Sequence, residues 1–548
     1  MESFNDMLIA VTGAIDDFMY TYILVILLIA AGIWFTIRTR VVQIRYIKEM
    51  FTSLVGKSVE ADDEFSQVEQ VDIDAEEDAI LESEAPGASS DRSDSAYSDT
   101  SEPPKKRRIS SFQALMVSTA SRVGTGNIVG IATAVAMGGP GAVFWMWLMA
   151  IIGSASAFVE STLAQIWKVR NPNGTFRGGP AYYIQLALGK RWLGIVFAVA
   201  LILCFGLGFN GLQAYNLASA IDYYVIDGYE DVTNVIIGLL AVIGTALVIF
   251  GGTHRISIIT SWIVPIMAIG YILIALYTCL ANFADVPAAL ALVFQSAFDP
   301  ASFAGGLTGS VLMWGIKRGL FSNEAGMGSA PNAAATADVS HPVKQGFVQT
   351  LSVYIDTICI CTSSALMVLI FCVQQPDVVE ALIASDGFNG IDFVQMAMAN
   401  SIGEFGIHFM TAAIVLFAYS SLIGNYFYAE GNILFIKDNK KVLLVFRIFC
   451  LAAILYGAVN NFTLAWNLAD IFMGFMAIIN LIAILLLGKW AIAALKDYAK
   501  QKREGKNPVF YADSIPGLPK TEWWLRRDDV VTDGRDTLAE ENRASQQA

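Results

Sequence analysis

Apolar stretches of about 20 residues, each long enough to cross the hydrocarbon core of a bilayer as an α-helix, recur along most of the chain with short polar segments between them. They predict about eleven transmembrane helices, near residues 20–37, 112–137, 142–169, 193–223, 235–252, 256–281, 305–331, 347–373, 406–435, 442–458 and 464–490. An all-α polytopic membrane protein is therefore expected. Two regions depart from the pattern. Residues 58–104 are rich in Asp, Glu and Ser and poor in apolar side chains. Such a segment cannot bury enough surface to offset its chain entropy, which predicts a disordered loop inserted in the membrane domain. The polar tail after Lys496 carries Trp523 and Trp524, a pair expected to rest on the membrane surface. The expected division is an N-terminal segment with the first helix (1–55), the acidic loop (56–110), two five-span units (111–304 and 305–490) and a cytoplasmic tail (491–548).

Composition agrees with this picture. Of 548 residues 55% are hydrophobic and 15% charged, with a mean hydropathy of +0.54, whereas soluble domains carry about 25% charged residues. Much of the formal net charge of −14 comes from the acidic loop, so it describes that loop and does not call for a nucleic-acid partner. The basic residues are more informative. If the spans alternate, residues 1–19, 138–141, 221–234, 282–304, 374–404 and 459–463 share one side of the membrane, and none of them contains a Lys or Arg. The opposite side holds RTRVVQIRYIK, KKRR at 105–108, Lys344 and the Lys-rich stretch 496–506. The positive-inside rule then places the N-terminus outside and the C-terminus in the cytoplasm, in a plasma-membrane protein. KKRRISS at 105–111 is expected to anchor the next helix by the same rule; anionic lipid or a phosphate on Ser110 or Ser111 is the alternative use. The acidic loop is also a place for a regulatory partner. The six cysteines have no paired CxxC spacing and only three histidines accompany them, so they are expected in the core, not in a metal site. The N-terminus lacks the basic n-region of a cleavable signal.

The second and seventh spans are interrupted. SRVGTGNIVG (121–130) and WGIKRGLFSNEAGMGSAP (314–331) set glycines and polar side chains at membrane depth. Charged groups there cost on the order of 2.5–3.5 kcal/mol each, so Arg122, Lys317, Arg318 and Glu324 need partners or a polar cavity. Glu324 is expected to pair with Lys317 or Arg318, or to support unwound backbone; carrying a proton is the third use. Irregular backbone survives in a bilayer only where it is buried in protein or lines a cavity, and broken helices in corresponding positions of two halves point to a transporter's binding site. Each break offers N–H groups for a substrate carboxylate and carbonyls for an ammonium or a cation. A dinucleotide-binding loop is excluded for GTGNIVG, because both flanks are apolar helix and no βαβ unit surrounds it. Nor is there a nucleophile–base constellation, a metal-ligand spacing or a phosphate loop to support an enzyme.

The motifs FQALMVSTASRVGTGNIVGIATAVAMGGPGAVFWMW (112–147), FRGGPAYYI (176–184), MWGIKRGLFSNEAGMGSAPNAAATA (313–337), FAYSSLIGNYFY (417–428) and WNLAD (466–470) resemble those of the alanine/glycine:cation symporter family, also called the sodium:alanine symporters. The resemblance covers about residues 20 to 490 and leaves out the acidic loop and tail. It implies a leucine-transporter-type (LeuT-type) fold, a 5+5 inverted repeat preceded by one extra helix. It also implies that Thr125, Gly126 and Asn127 hold the substrate carboxylate. On the same basis the unwound seventh span near Asn323 takes the ammonium, Gln213 faces the substrate, and Trp314 and Phe321 wall the pocket. The implied Na+ ligands are the carbonyls of Ala120, Val123 and Phe417 with the hydroxyls of Ser420 and Ser421. The implied function is Na+-coupled symport of a small neutral amino acid, alanine or glycine, by alternating access. Proton coupling, glutamine or serine as substrate, and a transporter-like sensor are the alternatives.

Overall fold

The computed structural model describes residues 2–55, 109–171, 174–226, 228–299, 311–385, 388–459, 462–524 and 526. The acidic loop, the KKRR cluster, the first residues of the expected seventh span and the end of the tail lie outside these residues. In chain order the elements are α1 (Ala10–Arg38), α2 (Ser111–Arg122), α3 (Val129–Gly138), α4 (Ala142–Ile166), a two-stranded antiparallel hairpin of β1 (Val169–Arg170) and β2 (Phe176–Arg177), and α5 (Pro180–Leu188). They continue with α6 (Arg191–Tyr224), α7 (Glu230–Ile249), α8 (Gly252–Ala281), α9 (Val286–Phe298), α10 (Val311–Asn323), α11 (Ala330–Ala334) and α12 (Pro342–Gln374). The last five are α13 (Pro376–Ile383), α14 (Gly390–Ile402), α15 (Glu404–Ile436), α16 (Lys440–Ala458) and α17 (Phe462–Arg503).

Among the described residues nine helices are long and apolar enough to cross a membrane. The second and seventh expected spans are absent from that set because each is broken into two shorter helices, α2 with α3 and α10 with α11. The order of elements repeats. A broken helix, a long helix, a short helical connection, a long helix and two further helices run from α2 to α8, and again from α10 to α17. The first helix stands outside both sets, as the extra helix ahead of a 5+5 repeat.

Long apolar helices form here because a bilayer leaves each backbone group only its own helix as partner. Their packing depends on small residues. α4 lies against α1, α10 and α12, and α2 lies between α8 and α15. Where α10 crosses α4, a Cβ at Gly315 would stand 2.5 Å from the carbonyl oxygen of Ala142, so only glycine admits that approach.

Two boundaries and one placement differ from expectation. Helix begins well before residue 20, with regular helix from Glu2 leading into the apolar span α1 at Ala10, because the acidic Asp16 that would break an apolar span is buried against Lys317. The last helix runs to Arg503, past 490. Trp523 and Trp524, expected on the membrane surface, both make contacts with protein: the half-buried Trp523 packs edge-on with Phe176, and the buried Trp524 donates its indole N–H to the carbonyl of Gln165 at 2.7 Å.

Candidate functional site

The first break begins where α2 ends. Ser110 and Gln113 form a reciprocal capping box that starts α2, and the helix is lost at Val123 (φ −84°, ψ 84°). Gly124 is extended, Thr125–Asn127 make one 3-10 turn, and α3 resumes at Val129. Asn127 holds this turn. Its Oδ1 accepts the Gly124 N–H at 3.1 Å, and its Nδ2 donates to Asp356 Oδ1 (2.6 Å) and Ser322 Oγ (3.2 Å). Its carbonyl accepts the Ser364 hydroxyl at 2.5 Å. The Asn127 side chain is thus engaged within the protein, tying the turn to Ser322 and Asp356. Gln213 faces the turn from α6, its Oε1 accepting the N–H (3.1 Å) and the hydroxyl (2.9 Å) of Thr125, while Asn216 Nδ2 donates to Thr125 Oγ1 at 2.7 Å. The acceptors on Gly124 and Thr125 are neutral amides. A carboxylate is the stronger partner for the same N–H groups, since charge-assisted hydrogen bonds are about twice as strong.

The second break is built differently. Glu324 takes a left-handed conformation (φ +54°), followed by Gly326 (φ +85°) and Gly328 (φ +87°), which turns the chain out of α10 before α11 begins. Glu160, a buried carboxylate in the last third of α4, accepts the N–H of Gly326 on Oε1 and of Gly328 on Oε2, each at 3.1 Å, and also Asn480 Nδ2 at 2.7 Å. Asn480 in turn donates to the Gly326 carbonyl at 2.8 Å. An internal carboxylate therefore already occupies the N–H groups of Gly326 and Gly328 in this break. Asn323 caps the turn by accepting the Ala325 N–H at 3.0 Å, and its buried Nδ2 has no partner among the described residues.

The oxygens expected to hold a cation fall into two adjacent groups. The Ser421 hydroxyl lies 3.0 Å from the Ala120 carbonyl and 3.5 Å from that of Val123, bridging α15 to the end of α2. The Ser420 hydroxyl bonds back to the Phe417 carbonyl on its own helix at 3.0 Å. All five are hard oxygen donors, and the α2 carbonyls are the unsatisfied ones of a helix C-terminus, where positive charge is favoured. They fit Na+. Gly124 links the two sites, because a Cβ there would meet Ser421 Oγ at 2.5 Å and Gln213 Nε2 at 2.8 Å.

Phe321 covers the other side of the first break. Its ring lies directly on Gly126 and packs against Phe209 (4.7 Å) and Trp466 (5.3 Å). Trp314 sits further along α3, on Gly138, so of the two aromatic residues expected to wall the pocket only Phe321 touches this turn. Gly126→Ala would force the Phe321 ring aside. Overpacking of that kind costs about 1–3 kcal/mol, and amino-acid uptake should fall roughly tenfold or more, measured as initial rate at equal protein density.

The expected pairing of Glu324 with Lys317 or Arg318 is not what the structure has. Lys317 bridges Asp16 of α1 and Asp470 of α17, at 2.8 Å from the latter. Arg318 pairs with Asp470 at 2.9 Å and lies 4.1 Å over the ring of Trp466. Both cations precede the break, Lys317 lying over the Tyr20 ring and Arg318 over that of Trp466. Glu324, beyond the break, accepts the Ser329 hydroxyl at 2.6 Å and lies 3.4 Å from Ser121 Oγ. Arg122 is buried and faces Glu160, Glu324 and Asp356 electrostatically, its guanidinium without a hydrogen-bond partner among the described residues. Glu160 and Asp356 were absent from the expected site. Each is a carboxylate inside an apolar span, and an ionisable residue at that depth is by itself a sign of a site.

A sequence model described as the sodium:alanine symporter family matches residues 5–73 and 93–512. The amino-acid carrier protein AlsT of Bacillus subtilis (strain 168) is 44% identical over 524 residues, covering 96% of this chain and 98% of that protein. The probable sodium/glutamine symporter GlnT of the same organism is 44% identical over 514 residues, 94% of this chain and 95% of that one. The sodium/alanine symporter AgcS of Methanococcus maripaludis is 36% identical over 420 residues, 75% of this chain and 89% of that one. The solved structure of MhsT in complex with L-phenylalanine aligns with a TM-score of 0.49 at 16% identity, covering 72% of this chain and 97% of that one. The repeat described above stands on this chain's own helix order.

Proposed function

The chain belongs to the sodium:alanine symporter family, and on that premise we propose that it carries a small neutral amino acid, alanine or glycine, into the cell together with Na+. It is a multi-pass membrane transporter. The observation that supports the substrate and ion sites most is their adjacency. Gly124 lies between the Ser421 hydroxyl and the Gln213 amide, so the turn that would take a carboxylate directly follows the Ala120 and Val123 carbonyls that Ser421 reaches from α15.

In this proposal the N–H groups of Gly124 to Asn127 bind the substrate carboxylate in place of neutral amides, with Thr125 and Gln213 orienting it. The ammonium goes to the α10 end of the second break, beside Asn323. Phe321 covers Gly126 and leaves little room for a large side chain, with Trp314 further out. Na+ bound by Ala120, Val123, Phe417, Ser420 and Ser421 ties α2 to α15 and so prepares the turn for the substrate. The bundle that carries the broken helices then rocks to expose both to the cytoplasm. Basic residues confined to one set of connections support an outside N-terminus and a cytoplasmic C-terminus. The driving force is adequate. One charge moving through 100 mV contributes about 2.3 kcal/mol and a tenfold Na+ gradient about 1.4 kcal/mol, together sufficient for roughly 500-fold accumulation.

Uptake of labelled alanine into proteoliposomes under an imposed Na+ gradient tests this directly. The expected result is accumulation that needs Na+ and is competed by unlabelled alanine or glycine. Uptake that ignores Na+ and follows a pH gradient would transfer the coupling to protons. Uptake of glutamine or serine in preference to alanine would overturn the substrate.

A further inference from the structure

We propose that the C-terminal segment 505–524 is a strap that holds the cytoplasmic ends of the two broken helices together, and that Trp524 is its positioning residue for inward opening. This rests on the transport reading and on the orientation proposed above.

The strap follows α17 and is laced to it and to α12. Val509 and Gln501 exchange a pair of hydrogen bonds (2.8 and 2.9 Å). The Phe510 N–H donates to the Ser340 carbonyl at 2.9 Å, the Ser340 hydroxyl donates to the Pro508 carbonyl at 2.8 Å, and Lys344 Nζ donates to Asn507 Oδ1 at 3.1 Å. Phe510 is buried edge-on between His341 (5.2 Å) and Trp524 (5.3 Å). These contacts carry Trp524 to the end of α4, where its indole N–H meets the Gln165 carbonyl.

Gln165 and Lys168 are what Trp524 steadies. Gln165 Nε2 donates to the carbonyls of Ala334 (2.5 Å) and Ala337 (2.9 Å), at the end of α11 and just beyond it. Lys168 Nζ donates to the Ala337 carbonyl at 3.0 Å and lies over the rings of Phe176 (4.0 Å) and Trp524 (5.1 Å). Ala337 also bridges to Ile109, and the Asp338 N–H donates to the Ile109 carbonyl at 2.9 Å, just ahead of α2. One line of contacts thus runs from Trp524 through α4 to α11 and on to α2. Both half-helices on this side of the breaks end in it, so neither can swing away from α4 without disturbing the seat of Trp524. The family model ends at residue 512, which leaves Trp523 and Trp524 outside the matched sequence.

The test compares side-specific labelling in the full chain, in a chain ending at residue 504 and in Trp524→Ala. Ala114→Cys, packed with Ile109 and Ala337, reports the cytoplasmic side. Ala134→Cys, one turn from both Gly130 and Gly138 on α3, reports the outer side. Membrane-impermeant maleimide is applied to each side in turn, against the background of the native cysteines. Removing the strap should speed labelling at position 114 at least tenfold and slow it at 134, because freeing the inner side draws population from the outward state. Faster labelling on both sides would mean general loosening and overturn the proposal, as would rates at 114 within twofold of the full chain. If Trp524→Ala does not fold, Trp524→Phe keeps a ring and loses only the indole N–H. About fivefold faster labelling at 114, the worth of one hydrogen bond, is then expected, and no change is the overturning result. Alanine uptake by the full chain, run alongside, separates failure of the strap from failure of the transport reading.

Discussion

Ser421→Ala should raise the Na+ concentration needed for half-maximal amino-acid uptake by roughly ten- to a hundredfold. The Ser421 hydroxyl reaches across from α15 to the Ala120 and Val123 carbonyls at the end of α2. A hydrogen-bonding or ligating oxygen on a charged group contributes about 1.5–3 kcal/mol, and each 1.4 kcal/mol is about tenfold in affinity. Ser420→Ala should cost less, under about tenfold, because the Ser420 hydroxyl already bonds to its own helix at Phe417, and a helix keeps its main-chain ladder when such a back-bond is lost. Measuring uptake against Na+ concentration for both single variants separates the two residues. Equal and small effects would remove this oxygen cluster as the cation site, and a lost response to Na+ in Ser421→Ala alone would support it.

Glu160→Gln should be more damaging still, although Glu160 touches neither proposed ligand. Its carboxylate accepts two backbone N–H groups of the unwound segment and one from Asn480, all without access to water. Glutamine has one acceptor oxygen and an NH2 group, so either the Gly326 or the Gly328 N–H would face another donor. Losing a charge-assisted bond and stranding a buried donor together cost about 3–5 kcal/mol, a large fraction of the roughly 5–15 kcal/mol that holds a typical domain. The expected outcome is uptake below about a hundredth of the parent's, with a clearly lowered thermal unfolding midpoint in detergent. Glu160→Gln with normal uptake and an unchanged midpoint would show that the second break does not need this carboxylate.

These two residues differ in how far they could be read in advance. Ser420 and Ser421 belong to a long motif, and the turn at Thr125, Gly126 and Asn127 shows as glycines inside an apolar run. Glu160 shows only as one acidic letter in an apolar helix, with nothing nearby to say that it reaches Gly326, 166 positions away. Asn127 shows the same limit at closer range. Its place in the turn was legible, but the turn of its side chain toward Asp356, 229 positions on, was not. Nearness in sequence pairs Lys317 and Arg318 with Glu324, whereas their partners Asp16 and Asp470 lie 301 and 152 positions away.

The amino-acid sequence by itself determined the helical membrane class, most of the spans, the two breaks and the family. These follow from local rules, since in lipid a backbone group finds its partner within its own turn of helix or advertises a break with glycine and polar residues. The tertiary structure alone decided which carboxylate fills the second break, which acids neutralise Lys317 and Arg318, and that Trp524 seats on protein. Buried charges and aromatic rings take their partners from whichever helices pack beside them, and that packing joins segments hundreds of residues apart.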